Sequence, residues 1–151
     1  MSLDTRPTRQ PDVLLIEDSE HDAELTLRVL QHHAFARSVV WVRDGVEALD
    51  YLFGAEEQPA LMADPRVVLL DIKMPRLDGH QVLRRMKGDP RSRHIPVVIL
   101  SSSRVDQDIS ESLGDGANSY VVKPVSFDEF SETVREVSDY WLTVNETAEE
   151  R

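Results

Sequence analysis

Short apolar runs alternate with amphipathic stretches along most of the chain. The runs are rich in valine and isoleucine, are mostly unbroken by polar residues, and begin near Val13, Val39, Val67, Val97 and Tyr120. Such runs are typical of strands that are buried on both faces of a parallel sheet. The stretches between them are long enough for helices and show helical spacing, so the pattern predicts five strand–helix units.

Apolar residues at helical spacing, in the stretches between the strands, place the five predicted helices. They are expected to follow or begin near Ser19, Asp44, Asp78–Gly79, Val105 and Ser126. The fourth helix carries Val105, Ile109 and Leu113 as its apolar positions and ends at Gly114 or Gly116. The fifth is the clearest, because its apolar residues from Phe127 to Trp141 follow a 3-4-3-4 spacing.

Strand–helix units in series imply right-handed crossovers that place helices on both faces of a parallel sheet. We therefore predict an α/β fold, with a doubly wound five-stranded parallel sheet in the flavodoxin-like order 2-1-3-4-5 and five helices. One domain is expected over residues 12–144. A flexible N-terminus over 1–11 and an acidic tail over 145–151 are expected to flank it.

Composition and charge exclude several classes of function. The 151 residues suit one domain with one core, and the net charge of −11 disfavours a nucleic-acid partner. The chain has no cysteine, and no apolar run approaches the roughly 20 residues that a membrane span requires. The N-terminus also lacks the apolar core of a signal peptide, so we expect a cytoplasmic protein with no membrane or nucleic-acid partner. The five histidines show no metal-binding spacing and are interpreted as surface residues.

Polar residues that can bind ligands or take part in a reaction lie at the ends of four of the predicted strands. Glu17 and Asp18 follow the first strand, Asp71 follows the third, Ser101 closes the fourth and Lys123 follows the fifth. Because the carboxyl ends of strands in an open α/β sheet gather at one crevice, these side chains are expected to meet there. The sequence therefore predicts a site for a cation and a phosphate.

Neighbouring carboxylates raise one another's pKa unless a positive charge neutralises them. Oxygen ligands alone favour Mg²⁺, and we expect Asp18 and Glu17 to hold it. Lys123 and Ser101 can contact phosphoryl oxygens. Asp71 follows a central strand, which makes it the best candidate for a nucleophile that forms an aspartyl phosphate.

Four short motifs resemble those of the receiver domains of two-component response regulators. They are Leu15–Ser19, Leu69–Pro75 with Asp78–Gly79, Pro96–Ser101 and Tyr120–Pro124. The similarity runs from about Asp12 to Leu142. Each motif alone is weak, whereas four motifs in order at the right spacing are specific.

The resemblance implies a role for each matching residue. Asp71 would accept a phosphoryl group from the phosphohistidine of a sensor histidine kinase. Mg²⁺ or Mn²⁺ would be bound by Asp18, Glu17, Asp71 and the backbone carbonyl of Lys73. The protein would then be a phosphoacceptor switch that assists its own phosphorylation and dephosphorylation, rather than an enzyme.

The resemblance also implies residues that sense the phosphoryl group. Lys123 would contact the phosphoryl group, and the peptide bond between Lys123 and Pro124 would be cis. Ser101 would move to meet it, and Tyr120 would change rotamer as an aromatic switch. Gly79 would have a structural role at the end of the loop that follows Asp71, which we call the acceptor loop.

Two further segments resemble a subfamily. Arg43–Leu49, the long connection before the third strand and the ending Asp139–Val144 look like regulators paired with bacterial and cyanobacterial phytochrome kinases. This resemblance implies a bacteriophytochrome as the kinase. A downstream protein or histidine phosphotransfer protein would receive the signal. A homodimer would form through helix 4, strand 5 and helix 5, with Tyr140 and Trp141 as candidate interface residues.

Three alternatives are open. A phosphatase of the haloacid-dehalogenase type would also use a strand-end aspartate with Mg²⁺, but it needs a second aspartate where this chain has Lys73. A cofactor binder of the flavodoxin type would need a phosphate-binding loop where the acidic segment Glu17–Glu20 lies. The third alternative is a receiver-like module that binds partners without phosphorylation.

Overall fold

A computed structural model describes residues 10–32, 38–54, 60–74 and 76–144 of the chain, with the side chain of Val144 excepted. Most of the expected flexible N-terminus, Pro75 and the expected acidic tail lie outside the described residues. The described segments form one parallel sheet covered by helices on both faces.

The sheet has five parallel strands in the order β2-β1-β3-β4-β5, which confirms the predicted topology. Its strands are β1 Val13–Ile16, β2 Val39–Val42, β3 Val67–Leu70, β4 Val97–Ser101 and β5 Ser119–Val122. The three central strands are buried throughout, whereas the edge strands β2 and β5 are mostly half-buried. Uninterrupted apolar runs therefore mark the strands that helices cover on both sides.

Helices follow every strand, as predicted. They are α1 Glu20–His32, α2 Gly45–Phe53, α3 Gly79–Lys87, α4 Asp106–Gly114 and α5 Phe127–Asp139, and a π-helical turn over Tyr140–Val144 continues α5. The predicted starts of α2 and α5 are capped, because Asp44 and Ser126 accept hydrogen bonds from backbone N–H groups three residues later. α3 begins with a full capping box, in which Asp78 and Gln81 bond each other's backbone N–H.

Alternate residues of the buried strands face two separate apolar layers. Leu14, Leu70 and their equivalents pack against α2 and α3, whereas Leu15, Leu69 and their equivalents pack against α1 and α5. This alternation follows from the two-residue repeat of a strand. The sheet is therefore anchored from both sides, and its carboxyl edge is a rigid platform for the residues that follow it.

The expected apolar stripe of α4 is wrong. Val105 is the N-cap residue and is 58% exposed, and Leu113 is 48% exposed. α4 instead buries two polar residues, Asp108 and Ser112. The Asp108 carboxylate accepts a 2.6 Å hydrogen bond from Ser103 Oγ and lies 3.1 Å from Lys73 Nζ, so polar contacts orient this helix.

The fifth helix follows its predicted stripe with one exception. Phe130 and Val134 are buried, and Val137 and Trp141 pack against the same apolar layer, but Phe127 is 52% exposed at the first turn. Among the helices of the described residues, none is long and apolar enough to cross a membrane.

Candidate functional site

Strand register places the site residues at the same height along the sheet. Ile16 of β1 pairs with Leu70 of β3, so the next residues, Glu17 and Asp71, leave their strands side by side. The Asp71 backbone N–H donates to the Ile16 carbonyl oxygen at 3.0 Å and continues the ladder. The two carboxylates are therefore held by the backbone of the most buried strands.

Three predicted acidic residues form one cluster at this edge. Glu17, Asp18 and Asp71 each offer a carboxylate oxygen, and these oxygens lie within 4.8 Å of one another. Glu17 and Asp71 are 2% and 8% exposed, whereas Asp18 is exposed. The cluster can therefore bind an ion that enters from the solvent side, at Asp18.

The buried side chain of Lys123 joins the cluster from β5. Its Nζ donates hydrogen bonds to Glu17 Oε1 at 2.5 Å and to Asp71 Oδ2 at 3.5 Å. The backbone positions the lysine, because the Lys123 N–H donates to the Ser101 carbonyl oxygen at 2.8 Å. The predicted meeting of Glu17, Asp71 and Lys123 thus occurs.

The cluster contains more carboxylates than positively charged groups. Burial, followed by the neighbouring Asp71 carboxylate, raises the pKa of Glu17 to about 8, and Lys123 offsets this only in part. Burial lowers the pKa of Lys123, but the carboxylates of Asp71 and Glu17 outweigh it and hold that pKa above its usual range. One ammonium does not neutralise the carboxylates, so a divalent cation with oxygen ligands fits this donor set.

Asp22 is a site residue that sequence reasoning missed. Its Oδ2 accepts a 2.9 Å hydrogen bond from Lys123 Nζ. Asp22 lies in the first turn of α1, where its backbone N–H donates to Ser19 Oγ at 3.2 Å. An acidic residue in a first helical turn is ordinarily explained by the helix dipole, so only its position three residues after Ser19 could have drawn attention to it.

Ser101 and Tyr120 are linked through Ser103. Ser101 is fully buried and its Oγ accepts a hydrogen bond from the Ser103 N–H at 3.2 Å. The half-buried Tyr120 donates its hydroxyl proton to the Ser103 carbonyl oxygen at 2.9 Å. A shift of this loop would therefore be felt by the tyrosine ring.

The expected cis bond between Lys123 and Pro124 is wrong, because no peptide bond among the described residues is cis. The trans form is intrinsically favoured by about 0.5–1 kcal/mol before proline. The Lys123 side chain reaches Glu17 and Asp71 from a trans bond, so the contacts of the site do not require the cis form.

Gly79 and Lys73 shape the loop after Asp71. A Cβ atom at Gly79 would lie 2.5 Å from the Asp71 carbonyl oxygen and 2.5 Å from Ile72 Cα, so only glycine fits without a shift. The Lys73 backbone N–H donates to Asp71 Oδ1 at 3.2 Å and orients this carboxylate.

A second polar cluster joins α3 to α4. The surface interpretation of the histidines is wrong for His80, which is buried with its Nε2 3.1 Å from Glu111 Oε2 and 3.4 Å from Asp108 Oδ1. Arg84 Nη1 lies 3.6 Å from Glu111 and 3.1 Å from Asp115. Because this guanidinium pairs with both carboxylates, we interpret the cluster as an ion-pair network between helices.

Tyr140 and Trp141 lie at the start of the π-helical turn. Their rings meet edge to face, with centroids 5.1 Å apart. Tyr140 is 48% exposed. Together with Val137, Asn118 and Ser119 they line an open groove of about 400 Å³ beside β5.

A flavodoxin-like parallel sheet that carries clustered carboxylates and a buried lysine at its carboxyl edge defines the receiver class of signalling domains. The response regulator receiver domain family matches residues 13–135. The chain belongs to this family, whose members act in phosphorylation-based signalling and bind Mg²⁺ or Mn²⁺ at an acidic pocket.

Relatives of similar length support this assignment. The chain is 41% identical over 133 residues to the Probable methanogenesis regulatory protein FilR2 of Methanothrix harundinacea, covering 88% of this chain and 84% of that protein. It is 31% identical over 132 residues to the response regulator Rcp1 of Synechocystis, covering 86% and 88%.

Solved structures share the fold over nearly the whole chain. The Mn²⁺-bound form of Rcp1 superposes with a TM-score of 0.82 at 27% identity, covering 94% of this chain and all of that one. The bacteriophytochrome response regulator AtBRR has a TM-score of 0.68 at 42% identity, covering 97% of this chain and 100% of that one. The resemblance to phytochrome-associated regulators is thereby confirmed.

Proposed function

We propose that Asp71 accepts a phosphoryl group from the phosphohistidine of a sensor histidine kinase. The observation that carries this proposal is the cluster of Asp71 with Glu17, Asp18 and the Lys123 ammonium, 3.5 Å from Asp71 Oδ2. In the transfer, an Asp71 carboxylate oxygen attacks phosphorus and the P–N bond breaks. The histidine nitrogen that leaves then takes up a proton.

The site residues divide the work of this transfer. Asp18, Glu17, Asp71 and the backbone carbonyl of Lys73 would hold Mg²⁺ or Mn²⁺, which supplies charge neutralisation at the phosphoryl oxygens. Lys123 adds a fixed positive charge, because its buried Nζ lies 3.5 Å from Asp71 Oδ2. Transfer to a carboxylate needs little more than this positioning and neutralisation.

The phosphoryl group would then be sensed through Ser101. A movement of Ser101 toward the phosphoryl oxygens would break its hydrogen bond with the Ser103 N–H. The loop would shift, and Tyr120 would lose the carbonyl that its hydroxyl now binds and change rotamer. The surface formed by α4, β5 and α5 would thereby change.

The side chain at position 73 favours a switch over a phosphatase. The haloacid-dehalogenase mechanism needs a carboxylate two residues after its nucleophile, and that place is held by Lys73. Its ammonium lies 3.1 Å from Asp108 of α4, so it supports the loop and has no carboxyl proton to offer a leaving group. We accordingly propose a switch rather than an enzyme that turns over phosphoesters.

We further propose that the kinase is a bacteriophytochrome and that the protein acts in the cytoplasm, where the kinase obtains its ATP. The 42% identity with the bacteriophytochrome response regulator AtBRR supports this partner. A downstream protein or a histidine phosphotransfer protein would receive the signal. Phosphotransfer from a panel of purified histidine kinases, with rates compared under one set of conditions, tests the choice of kinase.

A homodimer through α4, β5 and α5 is also proposed. The exposed ring of Tyr140 and the adjacent groove beside Trp141 and β5 offer apolar surface for a second copy. We expect the weight-average mass to rise with concentration in sedimentation equilibrium, and Tyr140→Ala to weaken this association at least several-fold. A monomer at all concentrations, with and without Mg²⁺ and beryllofluoride, would contradict the dimer.

Tryptophan fluorescence offers a direct test of phosphorylation, because Trp41 Nε1 donates to the Glu17 carbonyl oxygen at 2.9 Å. We expect Mg²⁺ with acetyl phosphate or beryllofluoride to change the emission, and Asp71→Asn to abolish the change. Asp50→Asn, an exposed position on α2, is the matched control and should respond like the wild type. A full response from Asp71→Asn would refute the acceptor assignment, and sustained release of phosphate from general phosphoesters would favour a phosphatase.

A further inference from the structure

Lys123 Nζ is shared unequally among three carboxylates. It lies 2.5 Å from Glu17 Oε1, 2.9 Å from Asp22 Oδ2 and 3.5 Å from Asp71 Oδ2. An ammonium has three protons to donate, and the two shorter hydrogen bonds are made to Glu17 and Asp22. The lysine is therefore held nearer to Glu17 and Asp22 than to the residue that we propose as the phosphoacceptor.

Asp22 differs from the other two partners. Glu17 and Asp71 belong to the cluster whose oxygens can bind one ion, and Asp22 does not. When an ion binds to Glu17 and Asp71, Asp22 is the carboxylate that remains paired with Lys123 alone. Its position is fixed by the start of α1, since its N–H donates to Ser19 Oγ and its carbonyl oxygen accepts from Thr26 Oγ1 at 2.8 Å.

We propose that Asp22 is a positioning residue that holds the Lys123 ammonium back from Asp71, and that it thereby weakens phosphoryl binding while it strengthens metal binding. This inference rests on the proposed function of Asp71. A carboxylate at this place attracts the cation and repels the phosphoryl oxygens. It also competes with those oxygens for one lysine proton, so its removal should shift the two affinities in opposite directions.

Asp22→Asn tests the proposal, because it removes the charge and keeps the size of the side chain. Isothermal titration calorimetry measures two quantities: the affinity for Mg²⁺ alone, and the affinity for beryllofluoride at saturating Mg²⁺. Since the Asp22 side chain is 28% exposed, solvent screens part of its charge. We expect Mg²⁺ to bind roughly threefold or more weakly and beryllofluoride roughly threefold or more tightly.

Two further variants separate positioning from general damage. Glu20→Gln removes an equal charge from the same turn of α1 at an exposed position and should change either affinity by less than Asp22→Asn does. Asp22→Glu keeps the charge, so its affinities for Mg²⁺ and for beryllofluoride should stay closer to those of the wild type than the affinities of Asp22→Asn do. A merely structural role would weaken binding of both probes in Asp22→Asn and would give no such rescue.

The outcomes distinguish this inference from the function on which it rests. If wild type binds beryllofluoride and Asp71→Asn does not, the acceptor assignment holds whatever Asp22→Asn does. Against that background, unchanged affinities in Asp22→Asn, or affinities that both fall, would overturn the role of Asp22 alone. If Asp71→Asn binds beryllofluoride as tightly as wild type, both proposals fail.

Discussion

Glu17 is buried between an anion and a cation, and its protonation should control the stability of the metal-free protein. Its pKa rises from 4.5 to about 8 on folding, first because of burial and then because of Asp71. Between these values the folded chain holds a proton that the unfolded chain has lost. The contribution of Glu17 to the free energy of unfolding should therefore be highest below pH 4.5, fall as pH rises to about 8, and be level above.

Glu17→Gln removes this dependence, because glutamine is neutral at every pH. We expect the variant in EDTA to resemble wild type at low pH and to exceed its free energy of unfolding near pH 8.5 by up to about 5 kcal/mol, since each pKa unit corresponds to about 1.4 kcal/mol. Urea unfolding at several pH values measures the difference. Glu24→Gln, an exposed position on α1, is the control and should show no pH-dependent gain. A gain for Glu17→Gln that is equal at all pH values would contradict the expected titration.

Sequence predicts some site residues better than others, for reasons that Asp71 and Asp22 illustrate. Asp71 was found because it directly follows a strand whose end is fixed by topology. Asp22 enters the site from a helix, and its contact with Lys123 spans 101 residues of sequence. No spacing rule encodes such a pair, because it depends on how α1 is rotated against the sheet.

Among the secondary-structure elements, the start of α3 carries the strictest steric constraint. A Cβ atom at Gly79 would lie 2.5 Å from the Asp71 carbonyl oxygen. We expect Gly79→Ala to lower the free energy of unfolding by about 1–3 kcal/mol, because the helix or the acceptor loop must move. The same shift should weaken the beryllofluoride response, since Asp71 lies on that loop.

Gly114→Ala is the matched control for this prediction. Gly114 ends α4, and a Cβ atom there would contact nothing within 4 Å. The substitution should be neutral or stabilise by up to about 1 kcal/mol, because alanine favours helix more than glycine does. Chemical unfolding compares both variants, and equal effects at the two positions would contradict a steric role for Gly79.

α4 shows why an element can be predicted while its orientation is not. Its bounds follow from sequence signals, such as the glycine at its end. Which face is buried depends on Asp108, whose carboxylate binds Ser103, Lys73 and His80 from three other segments. Two of these partners, Lys73 and His80, lie 28 or more residues before Asp108 in sequence, so apolar periodicity alone led to the wrong face.

For the whole molecule, the topology was predictable because five buried runs with intervening helices leave few connections that obey right-handed crossovers. The same topology concentrates acidic residues at one edge of a chain whose net charge is −11. Added cations can therefore stabilise the protein in two ways: by screening the overall charge, or by binding at the cluster of Glu17, Asp18 and Asp71. These two effects can be separated.

Binding at the cluster should stabilise the fold specifically, because the unfolded chain does not bring the three carboxylates together. At Mg²⁺ concentrations near 100 times the dissociation constant, we expect the free energy of unfolding to rise by about 2.7 kcal/mol and Tm by roughly 5–10 °C. Differential scanning calorimetry in MgCl₂ measures the rise, with NaCl at equal ionic strength as the control for screening.

Asp18→Asn tests whether that rise comes from the cluster. Asp18 is exposed, so the variant should unfold like wild type in EDTA, yet lose most of the rise in Tm that Mg²⁺ produces. Asp50→Asn removes an equal charge from an exposed part of α2 and should keep the full rise. Because overall screening depends on total charge and not on its place, equal losses in the two variants, or an equal effect of NaCl, would show that Mg²⁺ acts by screening and not at the cluster.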